Sequence, residues 1–177
     1  MVRVDGHTCY VIGNGASRHE YSITHLEHTR FGCNQIYQDH QIDHLLTQDK
    51  AVLDQMQQDK VKQPVNIPLK RYTELTTRGS WPDLDLRPIK ASITQTRAWL
   101  TGEWCIIMAA EMGYKRIKVI GFDGGPDSIH RSRTSTNRDL QHCQPNQDRY
   151  LRTFEQIRKH YPHIRIITDS HFLAAYK

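Results

Sequence analysis

Residues 8–17, which read TCYVIGNGAS, constrain the fold more than any other part of the chain. The apolar first half predicts a buried strand, Gly13 and Gly15 predict a tight turn, and Ser17 is the predicted N-cap of a short helix. Strand, glycine turn and capped helix form the first unit of a nucleotide-binding α/β domain. In such a unit the backbone approaches a phosphate closely, and the helix N-terminus offers free N–H groups. Arg18 replaces the third glycine of the dinucleotide fingerprint, so we do not predict NAD binding.

Strands and helices alternate along the rest of the chain. Apolar runs predict further strands at 29–34, 43–48, 65–69, 116–121 and 164–168, and helical spacing predicts helices at 17–26, 50–60, 101–112 and 147–161. This alternation predicts an α/β, Rossmann-like fold with a mainly parallel sheet and helices on both faces. We expect a single Rossmann-like nucleotide-binding domain over residues 1–177, with an irregular loop or reduced lid at about 70–98.

Capping residues predict where two of the helices begin and end. Glu20 lies three residues after Ser17 and would complete a capping box. Thr101 is the predicted N-cap of the helix at 101–112, and Gly113 its C-cap. Because this helix is apolar nearly all round, we expect it to be buried against the sheet.

The composition narrows the class of ligand and the compartment. A net charge of +5 and a pI near 9.1 suit an anionic ligand. The basic residues are scattered and no nucleic-acid-binding signature is present, which argues against nucleic acid. The longest apolar run, 104–110, is too short to span a bilayer, and no signal segment opens the sequence, so we expect a cytoplasmic protein. The four cysteines lie far apart and are expected to be reduced and mostly buried.

Several polar residues follow the predicted strands directly. Asn14 lies in the glycine turn, and Asn34, Asp49 and Asp123 each end a strand. Because the carboxyl ends of parallel strands lie at one edge of a sheet, we expect the ligand site at that edge.

Four motifs in this order, GNGAS, FGCNQIYQD, TGEWCIIMAAEMGYKRIKVIGFD and DSHFLAAYK, resemble the bacterial sialyltransferases of the Campylobacter type. The chain also resembles the related glycosyltransferases of the flagellin motility-accessory type and the archaeal pterin diphosphokinases. The resemblance covers both ends of the chain, and only residues from about 57 to 99 do not match the family. The middle of the chain is shorter than in full-length sialyltransferases.

The resemblance implies a donor site. Asn14 and Ser17 would contact the nucleotide phosphates and ribose, Asn34 the region of the leaving group, and Asp123 would order the site. The full set of nucleotide-sugar-binding candidates is Gly13, Asn14, Gly15, Ser17, Asn34, Thr101, Gly102, Asp123 and Ser170.

The resemblance also implies a histidine as general base ahead of the last long helix. His142 is the best-placed candidate, and His130 is the second. An imidazole with an ordinary pKa of about 6.5 can accept the proton of a hydroxyl at neutral pH. The family's tyrosines that meet the leaving phosphate are absent from 124–132, where Arg131 and Arg133 are the candidate phosphate-binding substitutes.

These residues predict a glycosyltransferase that moves a sialic-acid-like sugar from a nucleotide-activated donor, a CMP-sugar, to a hydroxyl of a glycan or small molecule. No metal site and no obligatory cofactor are predicted for it. One alternative is a pterin-type diphosphokinase that uses ATP and Mg²⁺, with Asp49 and Asp123 as metal-ligand candidates. Another is a non-catalytic nucleotide-binding or structural module with the same fold. The sequence leaves open whether the protein forms a homo-oligomer.

Overall fold

The computed structural model describes residues 6–93, 99–123 and 147–168. Within these ranges seven strands form one sheet. They are β1 (Thr8–Ile12), β2 (Thr29–Cys33), β3 (His44–Leu46), β4 (Val65–Pro68), β5 (Leu86–Ile89), β6 (Arg116–Ile120) and β7 (Arg165–Thr168). Their order is β5-β4-β3-β2-β1-β6-β7, and every neighbouring pair is parallel. The prediction of a parallel α/β sheet is confirmed.

Helices cover both faces of this sheet. The helices are α1 (Lys50–Gln58), α2 (Leu69–Arg78), α3 (Thr101–Glu111) and α4 (Gln147–His160), with 3₁₀ turns at Ala16–Glu20, Ile23–His25 and Asn34–Gln38. Alternate residues of β1 point to opposite faces: Val11 packs in the core under α3 and α4, and Ile12 in the core under α1 and α2. As expected from its composition, α3 is buried almost all round.

The structure corrects the prediction of an irregular segment at 70–98. Helix α2 and strand β5 lie there. The helix was missed because most of its residues are polar, and Leu75 is its one buried residue. The strand was missed because it contains Pro88. A proline is tolerated there since β5 is an edge strand of the described sheet.

Two predicted helix starts are also wrong. The segment 17–26 forms two short 3₁₀ turns, and its N-cap is Gly15, with no capping box between Ser17 and Glu20. Helix α3 begins at Thr101 rather than being capped by it, and the Glu103 carboxylate accepts the Leu100 N–H at 2.7 Å. The prediction for its other end is confirmed, since Gly113 follows the helix at φ +88°.

The thiols agree with the sequence prediction. Cys9, Cys33 and Cys105 are free and buried, and Cys143 lies outside the described residues. Among the described helices, none is long and apolar enough to cross a membrane.

Opposite the carboxyl ends of the strands, Glu111 at the end of α3 joins three elements. Its Oε1 accepts hydrogen bonds from the Ser92 N–H and hydroxyl and from the Tyr161 hydroxyl. Burial alone would raise the pKa of Glu111, but these hydrogen bonds outweigh it and lower the pKa below its usual value.

Glu111 should therefore make stability depend on acid pH. A carboxyl group whose folded pKa is lowered stabilises the fold above its unfolded pKa of about 4.3, and the contribution disappears as the pH falls through the folded pKa. The effect should stay below about 1 kcal/mol, because most of the Glu111 residue is exposed to solvent, which screens its interactions. Urea unfolding at pH 7 and pH 3 measures it. The difference between the free energies of unfolding at pH 7 and pH 3 should be smaller in Glu111→Gln than in the wild type. An unchanged difference would show that Glu111 is not its source.

Candidate functional site at the carboxyl edge of the sheet

The strand order reverses between β1 and β6. The chain runs from β1 outward to β5 and then returns to place β6 on the other side of β1. The loops that follow β1 and β6 therefore leave the carboxyl edge at the same point, which is where open α/β sheets bind their ligands.

The glycine turn after β1 is bound to the loop after β6. The N–H of Gly13 donates to Ile120 O and that of Gly15 donates to Gly121 O, both at 2.8 Å. Beyond them, the Ser17 N–H donates to Asp123 Oδ2 at 2.8 Å, and the Ser17 hydroxyl donates to the other carboxylate oxygen. The prediction that the helix N-terminus after this turn offers free N–H groups is wrong for Gly15 and Ser17. Asp123 thus holds the turn against the loop after β6.

Both glycines are required by packing within the protein. A Cβ on Gly13 would overlap the carbonyl oxygen of Gly121, and a Cβ on Gly15 would lie 2.6 Å from the Asp123 carboxyl carbon. Neither position has room for a methyl group without movement of the backbone of one loop. The glycines thus let two strand ends approach each other.

Gly13→Ala is expected to destabilise the fold by about 2 kcal/mol or more, because the methyl group must displace the β6 loop. Urea unfolding measures this loss. Gly6→Ala is the matched control, since nothing lies within 4 Å of a Cβ there. Equal stability of the two variants would contradict the packing assigned to Gly13.

Asn14 connects the turn to the end of β2. Its Nδ2 donates to Cys33 O at 3.1 Å, and its Oδ1 accepts from Arg18 Nη1 at 2.6 Å. Both the oxygen and the nitrogen of the amide therefore make hydrogen bonds within the protein. Asn14 lies beside Cys33, which directly precedes Asn34.

Asn34 adopts a left-handed backbone conformation, with φ +54°. Its Oδ1 accepts from the hydroxyl of the fully buried Thr47 at 2.9 Å. This bond directs the amide group, and its Nδ2 has no hydrogen-bond partner among the described residues. Asn34 thus presents an oriented donor at the carboxyl edge, where an oxyanion could accept from it.

The start of α3 contributes the third part of the edge. Thr101 and Gly102 are both half-buried. A Cβ on Gly102 would lie 2.7 Å from the Phe122 ring, so this helix start packs beside the residue that precedes Asp123. The positive end of a helix dipole, in a helix of eleven residues, therefore lies near the other candidates.

Asp49 and Asp123, the two magnesium-ligand candidates, both make hydrogen bonds within the protein. Asp49 caps α1 by accepting the Ala51 N–H at 2.9 Å, and Asp123 holds Ser17. In the ranges that the structure describes, no group of three or more His, Cys, Asp or Glu side chains could hold a metal ion.

Sequence reasoning missed the part that Arg18 plays. The sequence pattern shows Arg18 only in place of the third glycine of the fingerprint. In the structure its side chain is buried and binds Asn14, Gly13 O and Asp39. The buried hydroxyl of Thr47 was missed as well. The sequence held no signal for either contact, because both partners are set by the tertiary fold.

The structure brings eight of the predicted binding residues to one edge: Gly13, Asn14, Gly15, Ser17, Asn34, Thr101, Gly102 and Asp123. The other candidates lie outside the described residues, namely His130, Arg131, Arg133, His142 and Ser170.

No family model matches the chain, and no curated protein matches its sequence. Solved structures do resemble it. An apo α-2,3-sialyltransferase from Campylobacter jejuni has a TM-score of 0.56 at 16% identity, over 99% of this chain and 80% of that one. The sialyltransferase CstII of Campylobacter jejuni, in complex with the substrate analogue CMP-3FNeuAc, has a TM-score of 0.54 at 15% identity, over 91% of this chain and 81% of that one.

The chain has the fold of these sialyltransferases. The likeness extends over nearly the whole chain, so it includes the carboxyl edge as well as the sheet. At 15–16% identity the likeness is one of fold, and the chemistry of this chain has to be argued from its own residues.

Proposed function

We propose that this chain is a cytoplasmic glycosyltransferase that transfers a sialic-acid-like sugar from a CMP-sugar to a hydroxyl group of a glycan or small molecule. The observation that carries the proposal is the convergence of Asn14, Asn34, Asp123 and the start of α3 on one sheet edge. The sialyltransferase fold supports it, and one protein with that fold binds a CMP-sugar analogue.

In this proposal the donor phosphate lies near the first turn of α3. Thr101 and Gly102 lie at the positive end of the helix dipole, which favours an anion. The Asn34 Nδ2 would donate to an oxygen of the leaving phosphate. Ser170 would contact the base and ribose.

The reaction would be a direct displacement. The acceptor hydroxyl oxygen attacks the anomeric carbon of the sugar. The bond between that carbon and the phosphate oxygen breaks, and CMP leaves. His142 would take the hydroxyl proton, and His130 is the second candidate for that role. Arg131 and Arg133 would neutralise charge on the departing phosphate. The proposal requires no metal ion.

A donor assay tests this function. The full chain is incubated separately with CMP-sialic acid, with UDP-sugars, and with ATP, Mg²⁺ and a pterin alcohol, and products are identified by mass spectrometry. Release of CMP, accelerated by a glycan acceptor, supports the proposal. Diphosphate transfer from ATP would indicate the diphosphokinase instead, and nucleotide binding without turnover would indicate a non-catalytic module.

A further inference from the structure

Arg18 is a buried cation at the candidate site. The residue is 1% exposed, and Nη1 donates to Asn14 Oδ1 at 2.6 Å and lies 3.5 Å from Gly13 O. The other terminal nitrogen, Nη2, pairs with the carboxylate of Asp39. Through these contacts the guanidinium holds the turn after β1 against Asp39, which follows the 3₁₀ turn at Asn34–Gln38.

The two charges of this pair are screened unequally. The side chain of Arg18 is 0% exposed, whereas that of Asp39 is 38% exposed. Solvent weakens the field of an exposed charge far more than that of a buried one. The positive charge of Arg18 is therefore less screened than the negative charge of Asp39. The pKa of the Cys33 thiol is lowered mainly by its hydrogen bond with Cys105 and further by Arg18. The pKa of the His40 imidazole is lowered mainly by burial and further by Arg18.

Arg18 also determines how Asn14 is oriented. An amide side chain can exchange its oxygen and nitrogen by a half-turn. Because Arg18 donates to Oδ1, Nδ2 of Asn14 must face Cys33 O, as observed. This bond fixes the spacing between the turn and the end of β2, directly before Asn34.

We infer that Arg18 is a positioning residue that makes this edge selective for anionic nucleotides over their neutral nucleosides. It does so from within the protein, by orienting Asn14 and by placing a positive charge behind the edge at which the phosphate is proposed to lie. The inference rests on the proposed function, since it concerns the phosphate of the same donor.

Calorimetric titration of the full chain with CMP and with neutral cytidine tests the role of the charge. Arg18→Met removes the cation and leaves the Asp39 carboxylate, so CMP affinity should fall about three- to tenfold more than cytidine affinity. Arg18→Lys keeps the charge and should retain most of the wild-type preference for CMP. A merely structural role would lower both affinities equally in Arg18→Met.

Asp39→Asn gives an independent result should Arg18→Met fail to fold. This variant keeps an acceptor oxygen for Arg18 and removes an exposed negative charge, so the preference for CMP over cytidine should rise about twofold or more. An unchanged or smaller preference overturns the inference while leaving the proposed function intact. A wild-type chain that binds neither CMP nor CMP-sialic acid overturns both.

Discussion

Replacing His142 by alanine is expected to slow sugar transfer from CMP-sialic acid about 100- to 10,000-fold, which is the usual contribution of a general base. The affinity for CMP should stay within about twofold of wild type, because the imidazole acts on the acceptor hydroxyl rather than on the nucleotide. Initial rates at saturating donor, together with calorimetric titration of CMP, measure the two quantities separately.

His130→Ala is the matched control, because it removes the other candidate base. It should transfer sugar at close to the wild-type rate. The reverse pattern, with His130→Ala inactive and His142→Ala active, would assign the base to His130. Full activity in both variants would contradict the histidine mechanism. The pH profile of kcat/KM adds a third readout, since loss of the base should remove its acid limb.

Asn34→Asp is expected to weaken CMP binding about 10- to 100-fold. The aspartate keeps an oxygen for the Thr47 hydroxyl and tolerates the left-handed backbone at φ +54°. It replaces the oriented Nδ2 donor by a negative oxygen, which would repel a phosphate a few ångströms away. Folding stability should change much less than affinity, and thermal unfolding checks this.

Asn34→Gly separates the charge from loss of the side chain. Glycine accepts the same backbone conformation and removes the Nδ2 donor without adding a charge. We expect an affinity between those of wild type and Asn34→Asp. If all three proteins bind CMP equally, Asn34 does not face the phosphate and the donor site lies elsewhere.

The sheet could be predicted from sequence because buried parallel strands appear as short apolar runs. Strand β1 has such a run, β2 and β6 place apolar residues at their buried positions, and α3 is apolar nearly all round. Helix α2 gave no such signal. It lies over the sheet with Leu75 as its single buried residue, and this tertiary packing stabilises it.

The site was less predictable, since its contacts join residues far apart in sequence. Ser17 has the spacing of a helix cap, yet its partner is Asp123, 106 residues away. Local sequence could indicate a polar residue in the turn but not the residue that it would meet. The contact of Arg18 has the same origin, because the pairing of β2 with β1 brings Asp39 beside it.

A crystal structure of the full chain with bound CMP tests the central claim most directly. We predict that the phosphate lies at the carboxyl edge, within hydrogen-bond distance of Asn34 Nδ2 and next to the first turn of α3. The glycine turn should keep its bonds to the β6 loop. A CMP molecule bound away from this edge, or a phosphate that contacts neither Asn34 nor the start of α3, would contradict the account.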